Sequence, residues 1–317
     1  LSFAEIKSVI PKLPNIYSEP FSDSSQIATF LICEGIKSNG IKVALGGDGA
    51  DELFGGYNRH VYGPLIYKKF HNINPYVTKF LSNILKVLPF DNKSLTQEKI
   101  RKLSAALKKS NNINYIYDVI LSSNLNTNKF HKFIQNESSY LIDIKSIDAP
   151  TNSERFMIAD TSSYLPNDIL VKLDRASMYL GLETRSPYLD ERVAKIAWSL
   201  NLNEKIKTQN RTLIRKWPLK NILYKYIPKE YFDRPKSGFS IPISSWLRGP
   251  LKEWAYELLE SKFINKQEYL CGSKVQKLWQ SHLNGNSENT ELIWSILMWQ
   301  AWITNWDNQP NSSDSVQ

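Results

Sequence analysis

The stretch 43-VALGGDGADELFGGYNRH-60 holds five of the chain's 13 glycines and three carboxylates between an apolar run and an aromatic-basic segment. A glycine-rich turn leaving the C-terminal end of a strand lets backbone N–H groups approach a phosphate closely, because no Cβ stands in the way. Gly46, Gly47 and Gly49 are placed to do this, with Asp48 inside the same turn. Carboxylates repel phosphate unless a divalent cation lies between them, so Asp48, Asp51 and Glu52 beside such a turn imply Mg²⁺, with Asp51 nearest the metal. Composition alone balances this against a strand-to-helix connection in which the glycines relieve strain and Asp51 caps the next helix. The stretch matches neither generic nucleotide fingerprint, Gly-x-x-x-x-Gly-Lys-Ser/Thr or Gly-x-Gly-x-x-Gly.

A second candidate is 233-DRPKSGF-239, where Lys236 lies between a proline and a Ser-Gly turn. An ammonium presented by a restricted loop suits neutralising charge on phosphate, although in isolation the heptapeptide reads first as a surface loop. The third is 172-KLDRASMYLGLETRSPYLD-190, whose Asp174, Arg175, Glu183 and Arg185 suit ion pairs at helix ends more than direct catalysis. Tyr57 offers a phenol to a substrate, with aromatic packing the primary expectation. The four histidines show no metal-ligand spacing, and His60 reads as a surface residue near the site.

The elements that must position these residues follow from periodicity. Residues 24–38 read as a helix ended by Asn39-Gly40, followed by a short β-branched strand, IKVAL, expected to be buried. A helix restarts at Asp51 or Glu52, and the order helix, strand, glycine loop, helix belongs to an α/β parallel sheet. Further helices are expected over 153–165, 167–181, 189–200, 211–226, 245–260 and 291–306, the last a Trp-rich core helix. The division is 1–63 as a partial nucleotide-binding α/β core, 64–150 as a helical region, 151–306 as a helical remainder, and 307–317 as a disordered tail.

With 42% hydrophobic residues the chain has ordinary globular composition, and no run of eighteen apolar residues suggests a membrane partner. Cys33 and Cys271 are far apart and outside any zinc-type cluster, which fits free thiols in a reducing cytoplasm. The net charge of +9 reads as scattered lysines on solvated helix faces rather than a nucleic-acid surface.

Taken together and in this order, GGDGADELFGGY, ETRSPYLD and RPKSGF resemble the synthetase domain of glutamine-dependent asparagine synthetases, and 19-EPFSDSSQIATF-30 resembles the family's segment before the strand. The resemblance implies an adenine-nucleotide alpha-hydrolase-like (Rossmann-like) parallel sheet with a predominantly helical C-terminal part. It implies ATP and Mg as cofactors, aspartate and ammonia as substrates, and a β-aspartyl-AMP intermediate. It places Asp51 on Mg²⁺, Gly46 and Gly47 against the nucleotide, Asp48 in support of adenylate formation, Lys236 on the developing charge, and Tyr57 near the acyl group. A homodimer is a further expectation.

Two features depart from the family pattern. The chain contains neither an N-terminal glutaminase with its cysteine nucleophile nor a Ser-Gly-Gly-x-Asp-Ser pyrophosphate loop. It therefore reads as an N-terminally truncated synthetase fragment, inactive alone. Gly46 and Ala50 stand where serine is common, which removes hydroxyls and keeps backbone donors. The competing readings are a related amide-forming ligase acting on a sugar acid or other carboxylate, a basic nucleic-acid-binding module, and a non-catalytic remnant.

Overall fold

The computed structural model describes residues 3–87, 95–121, 142–210, 212–232, 241–267, 269–285 and 289–307. Helices α1 (Phe3–Val9) and α2 (Leu13–Tyr17) lead into α3 (Gln26–Ser38). The Asp23 carboxylate accepts from Ser25 N and Oγ at 2.9 Å, which organises the entry to α3. Ile27, Phe30 and Leu31 recur at helical spacing and form the buried face of α3, and Gly40 at φ +77° follows the helix end.

Strand β1 (Val43–Leu45) and short helix α4 (Ala50–Leu53) flank the glycine loop. Helices α5 (Arg59–Phe70), α6 (Pro75–Val87), α7 (Leu95–Leu107) and α8 (Ile113–Leu121) follow, α5 beginning ahead of residue 64. Helix α9 (Asn152–Ala159) runs into a π-type segment (Asp160–Ile169) and then α10 (Leu170–Tyr179). The sequence predicts two helices here and not the π segment between them. Pro166 lacks an N–H, and Leu170 N donates five residues back to Leu165 O. The Thr161, Ser162 and Ser163 hydroxyls donate to carbonyls four residues earlier and occupy acceptors along this wider turn.

Strand β2 (Glu183–Arg185) pairs with β1 in parallel, Val43 opposite Glu183 and Leu45 opposite Arg185. Helix α11 (Glu191–Ser199) starts where the acidic first turn predicts, with Asp190 Oδ1 accepting from Arg192 N. Beyond α12 (Leu202–Lys205), strands β3 (Lys207–Gln209) and β4 (Thr212–Ile214) form an antiparallel hairpin. The helix expected over 211–226 is corrected accordingly: α13 covers only Trp217–Leu223. The left-handed residues Asn210 and Lys216, at φ +48° and +53°, bracket β4 and interrupt helical propagation. The helix expected over 245–260 is likewise two, α14 (Ile243–Arg248) and α15 (Lys252–Leu258), broken at Gly249-Pro250. Helices α16 (Ser261–Lys266), α17 (Gly272–Leu283) and α18 (Thr290–Asp307) complete the described chain.

The largest core joins both ends of the sequence. Ile6, Leu13, Tyr17, Ile27 and Phe30 pack with Leu247, Trp279, Trp294 and Leu297. Helix α18 is buried around much of its circumference, as its dense apolar sequence predicts. A second cluster joins Ile116, Tyr117 and Phe156 beneath α5, and a third packs Leu53 and Phe54 against Ala197. The parallel pair is not the buried layer expected from IKVAL. Leu45 is 73% exposed and Val43 and Ile41 are also open. Among the described residues β1 pairs only with β2, so no further strand covers its other edge.

Candidate active site

The glycine loop leaves the C-terminal end of β1, and each glycine meets a different constraint. Gly46 N–H donates to Arg185 O at 2.8 Å, so this amide extends the sheet. A Cβ on Gly46 would lie 2.7 Å from Asp48 Oδ2, so the bare backbone makes room for that carboxylate. Gly49 has φ +88° and would drive a Cβ to 2.4 Å from Leu189 Cδ2, which makes it a packing contact with the ETRSPYLD segment. Gly47 is exposed, and a Cβ there would meet nothing within 4 Å. Of the three predicted phosphate-facing glycines, Gly47 is the one open to close approach.

Gly55 and Gly56 belong to the same construction. Gly56 N–H donates to Asp51 O at 2.7 Å, and a Cβ on Gly56 would overlap the Asp51 carboxylate. The double glycine thus lets the chain fold back over Asp51 with no side chain between them. Asp51 Oδ1 forms an ion pair with Lys216 Nζ at 3.0 Å, the ammonium coming from the left-handed residue before α13.

Tyr57 does not point its hydroxyl into open space; it donates to Glu52 Oε1 at 2.7 Å. Burial, then the Glu52 charge, raises the Tyr57 phenol well above its ordinary range. Burial also raises the Glu52 carboxyl, partly offset by the Tyr57 hydrogen bond. The Tyr57 ring lies edge-on to Tyr164, and the Arg59 guanidinium carbon sits 3.8 Å from the Tyr57 ring centroid and 4.5 Å from that of Tyr164.

Arg59 also donates through Nε to Asp160 Oδ2 at 2.7 Å, while Tyr117 donates to Asp160 Oδ1 at 2.6 Å and His60 Nε2 lies 2.5 Å from Oδ2. Asp160 is fully buried, but the His60 hydrogen bond and the Arg59 charge outweigh burial and hold its carboxyl below the usual range. Burial lowers the His60 imidazole despite Asp160. A neutral ring beside an ionised carboxylate carries its proton on Nε2 and donates it. His60 is therefore a fully buried structural residue, not the surface residue that its polar flanks suggest.

A second carboxylate group surrounds Lys172, whose Nζ lies 2.6 Å from Asp23 Oδ2. Although burial acts to raise Asp23, Lys172 and the Ser25 bonds hold it below its ordinary value. Asp168, on the π segment, is raised to about 7 by burial and then by the Asp23 charge, which Lys172 only partly offsets. Burial likewise raises Asp48, which feels Lys172 and Asp51 with opposite signs. Asp23, Lys172, Asp168 and Lys216 are absent from the sequence-level site. Lys172 stands at the head of the third quoted motif, and Asp23 lies in the segment quoted for its family resemblance, so the signals were present without a reason to join them.

Of the supporting residues, Glu183 and Arg185 pair with each other along exposed β2 at 2.7 Å rather than fixing a helix end. Asp174 and Arg175 lie exposed on α10. Lys236 and its loop lie outside the described residues, as do residues 308–317 of the expected tail. Among the described residues no three His, Cys, Asp or Glu side chains form a metal-type cluster, and no helix is long and apolar enough to cross a membrane.

A glycine turn at the end of a parallel strand, with carboxylates paired to lysines nearby, belongs to a chain of the α/β class with a small parallel sheet. The asparagine synthase family profile matches residues 1–304, and the chain belongs to that family. It is 28% identical over 316 residues to asparagine synthetase [glutamine-hydrolyzing] 1 of Bacillus subtilis, covering 95% of this chain and 46% of that protein. A putative asparagine synthetase [glutamine-hydrolyzing] of Mycobacterium bovis is 28% identical over 314 residues, covering 95% of this chain and 45% of that protein. Asparagine synthetase [glutamine-hydrolyzing] of Brassica oleracea is 24% identical over 246 residues, covering 76% and 27% respectively. The chain thus spans about half the length of the two bacterial relatives. No solved structure matches it.

Proposed function

We propose that this chain supplies one wall of a site that adenylates a carboxylate and converts it to an amide, with aspartate as the acid and asparagine as the product. The observation that carries the reading is the seating of Asp51 beside the open Gly47 turn at the C-terminal end of β1. Open α/β sheets bind their ligands outside the carboxyl ends of their strands. The glutamine-hydrolysing relatives support the choice of reaction, with glutamine-derived ammonia as the nitrogen source. The adenine-nucleotide alpha-hydrolase-like sheet is part of the same proposal.

A carboxylate oxygen is a poor leaving group. Attack of the aspartate side chain on the ATP α-phosphorus releases pyrophosphate and gives β-aspartyl-AMP. Ammonia then displaces AMP to form the amide, and a proton leaves the attacking nitrogen. The donor set fits Mg²⁺: the metal is commonly held by one or two carboxylates together with substrate phosphates, and Asp51 already accepts a cation, the Lys216 ammonium. Asp51 would hold the metal, with Asp48 beside it. When bound, Mg²⁺ supplies charge neutralisation on the triphosphate.

The chain's own groups bind and orient. Gly47 permits close approach of a phosphate. The Tyr57–Glu52 bond fixes the end of the loop, with the Tyr57 ring beside the acyl group, and Lys236 neutralises charge as pyrophosphate departs. The exposed edge of β1 supports a sheet completed by strands supplied from outside this chain, together with the main pyrophosphate loop. On this reading the 317-residue chain alone is expected to make no asparagine.

The test is aspartate-dependent ATP–pyrophosphate exchange by the full protein. Exchange is expected with aspartate, and its loss is expected in Asp51→Asn and Lys236→Ala. Exchange driven by a sugar acid and not by aspartate would move the assignment to another amide-forming ligase, and near-normal turnover in Lys236→Ala would remove Lys236 from the mechanism. Aspartate-dependent exchange by the isolated chain would overturn the requirement for outside strands.

A further inference from the structure

Helix α6 is built with its polarity reversed. The side facing α7 carries the buried Thr78 and Ser82, and Ser82 and Ser104 donate to each other's carbonyl oxygens at 2.7 and 2.8 Å. The opposite side carries Tyr76, Val77, Phe80, Leu81 and Ile84, all exposed, with Tyr76 at 85% and Phe80 at 65%. At about 3.6 residues per turn these five side chains fill an arc of roughly 140°, directly away from Thr78 and Ser82. Small polar side chains make the interhelical contact and large apolar ones face outward, so α7 does not use the apolar face.

The charge around this face is equally uneven. Between Lys68 and Lys109 the sequence holds ten Lys or Arg and two Asp or Glu, within a chain of net charge +9. Between Glu52 and Asp91 the sequence holds no acidic residue, so no carboxylate of this stretch offsets its lysines. Lys68 and Lys69 lie exposed in the last turn of α5, just before the turn into α6, and Lys79 is exposed on α6 itself, at the flank of the apolar arc next to Tyr76. A second copy of the chain would bring the same positive field to the contact and be repelled. An anionic bilayer is attracted by it, and its acyl boundary accepts a broad apolar face without shape matching.

We propose that α6 and the basic residues around it form a docking surface for an anionic lipid bilayer, with α6 lying in the interface plane. Tyr76, Phe80 and Ile84 enter the acyl boundary while Lys68, Lys69 and Lys79 meet lipid headgroups. The proposal departs from the expectation of no membrane partner, which rested on the absence of a spanning run. The surface is separate from the glycine loop and does not depend on the proposed reaction.

Vesicle flotation of the full chain tests the proposal, using phosphatidylcholine vesicles with and without phosphatidylglycerol. Binding is expected only with phosphatidylglycerol and is expected to weaken as salt is raised. Phe80→Glu should reduce it by about tenfold or more, and Lys68→Glu with Lys69→Glu by a smaller factor. Because these side chains are already exposed, the circular-dichroism melt should stay unchanged; Phe80→Ser serves as the milder variant if Phe80→Glu shifts it. No flotation with phosphatidylglycerol vesicles would overturn the proposal, as would flotation unaffected by either Phe80 variant. A dimer in sedimentation that depends on Phe80, without lipid binding, would assign the face to a second copy instead.

Discussion

Asp160 and Asp51 are both partly or fully withdrawn from solvent near Tyr57, yet their surroundings differ in kind. Asp160 receives Arg59, His60 and Tyr117 on its two oxygens and sits at 0% exposure, a closed network whose parts come from three helical segments. Asp51 faces Lys216 across 3.0 Å, and the neighbouring Asp23, Asp48 and Asp168 share the influence of Lys172. In the first cluster the Arg59 guanidinium balances the Asp160 charge. The second holds more carboxylate than its lysines neutralise, and burial raises Asp48 and Asp168. Balanced charge makes a structural joint; on the proposed function, surplus carboxylate beside an open turn would receive a ligand that brings positive charge with it.

The strongest way to break this comparison is Asp160→Ala, which leaves the Arg59 guanidinium buried without its carboxylate. A loss of about 3–5 kcal/mol is expected in denaturant unfolding, enough to unfold a marginal domain. Asp51→Asn should cost less than about 1 kcal/mol of stability while abolishing exchange activity in the full protein. A large stability loss from Asp51→Asn with activity retained would reverse the two roles.

Gly49→Ala tests the loop from its packing side. The positive φ and the approach to Leu189 predict a destabilisation of about 1–2 kcal/mol by thermal unfolding, whereas Gly47→Ala, with open space around it, should be nearly neutral for folding. Equal losses at the two positions would remove the distinction between a packing glycine and an approach glycine.

Acid and base should act on the clusters with opposite sign. Asp160 is held low and His60 is held neutral by burial, so both contribute stability at neutral pH. The His60 part is lost as pH falls below its unfolded value of about 6.5, and the Asp160 part only as pH falls below about 4. Asp168 is raised to about 7, so its ionisation disfavours the fold as pH rises from about 4 through 7. Asp168→Asn should therefore raise the melting temperature at pH 8 by a few degrees and leave it unchanged near pH 3.5. A variant equally stabilised at both pH values would place the cause in packing instead. The smallest effect is expected from Glu183→Gln, within about 0.5 kcal/mol, because its pairing with Arg185 is exposed.

Much of the site's chain order was legible before its geometry. The glycine loop, the restart of a helix after it, the end of α3 at Asn39-Gly40 and the start of α11 at Asp190 all follow from contacts within a few residues. The β3–β4 hairpin was misread because Thr212–Ile214 runs directly into helix-forming sequence, and only the left-handed Asn210 and Lys216 separate them. The π segment escaped because its signal, a proline amid residues of helical periodicity, reads equally as the break between two α-helices.

By itself the sequence determined the local elements, the family resemblance, and the types of residue available for chemistry, since short-range periodicity, caps and turns act between near neighbours. The tertiary structure decided which charges meet. Asp160 reaches Arg59 across 101 positions and Lys172 reaches Asp23 across 149, and no local rule specifies such pairings. It also decided that β1 stands exposed, that Gly46 lends its amide to the sheet, and that α6 turns its apolar side outward. Burial and charge balance are properties of the packed chain, because they depend on everything brought within a few ångströms and not on the residue alone.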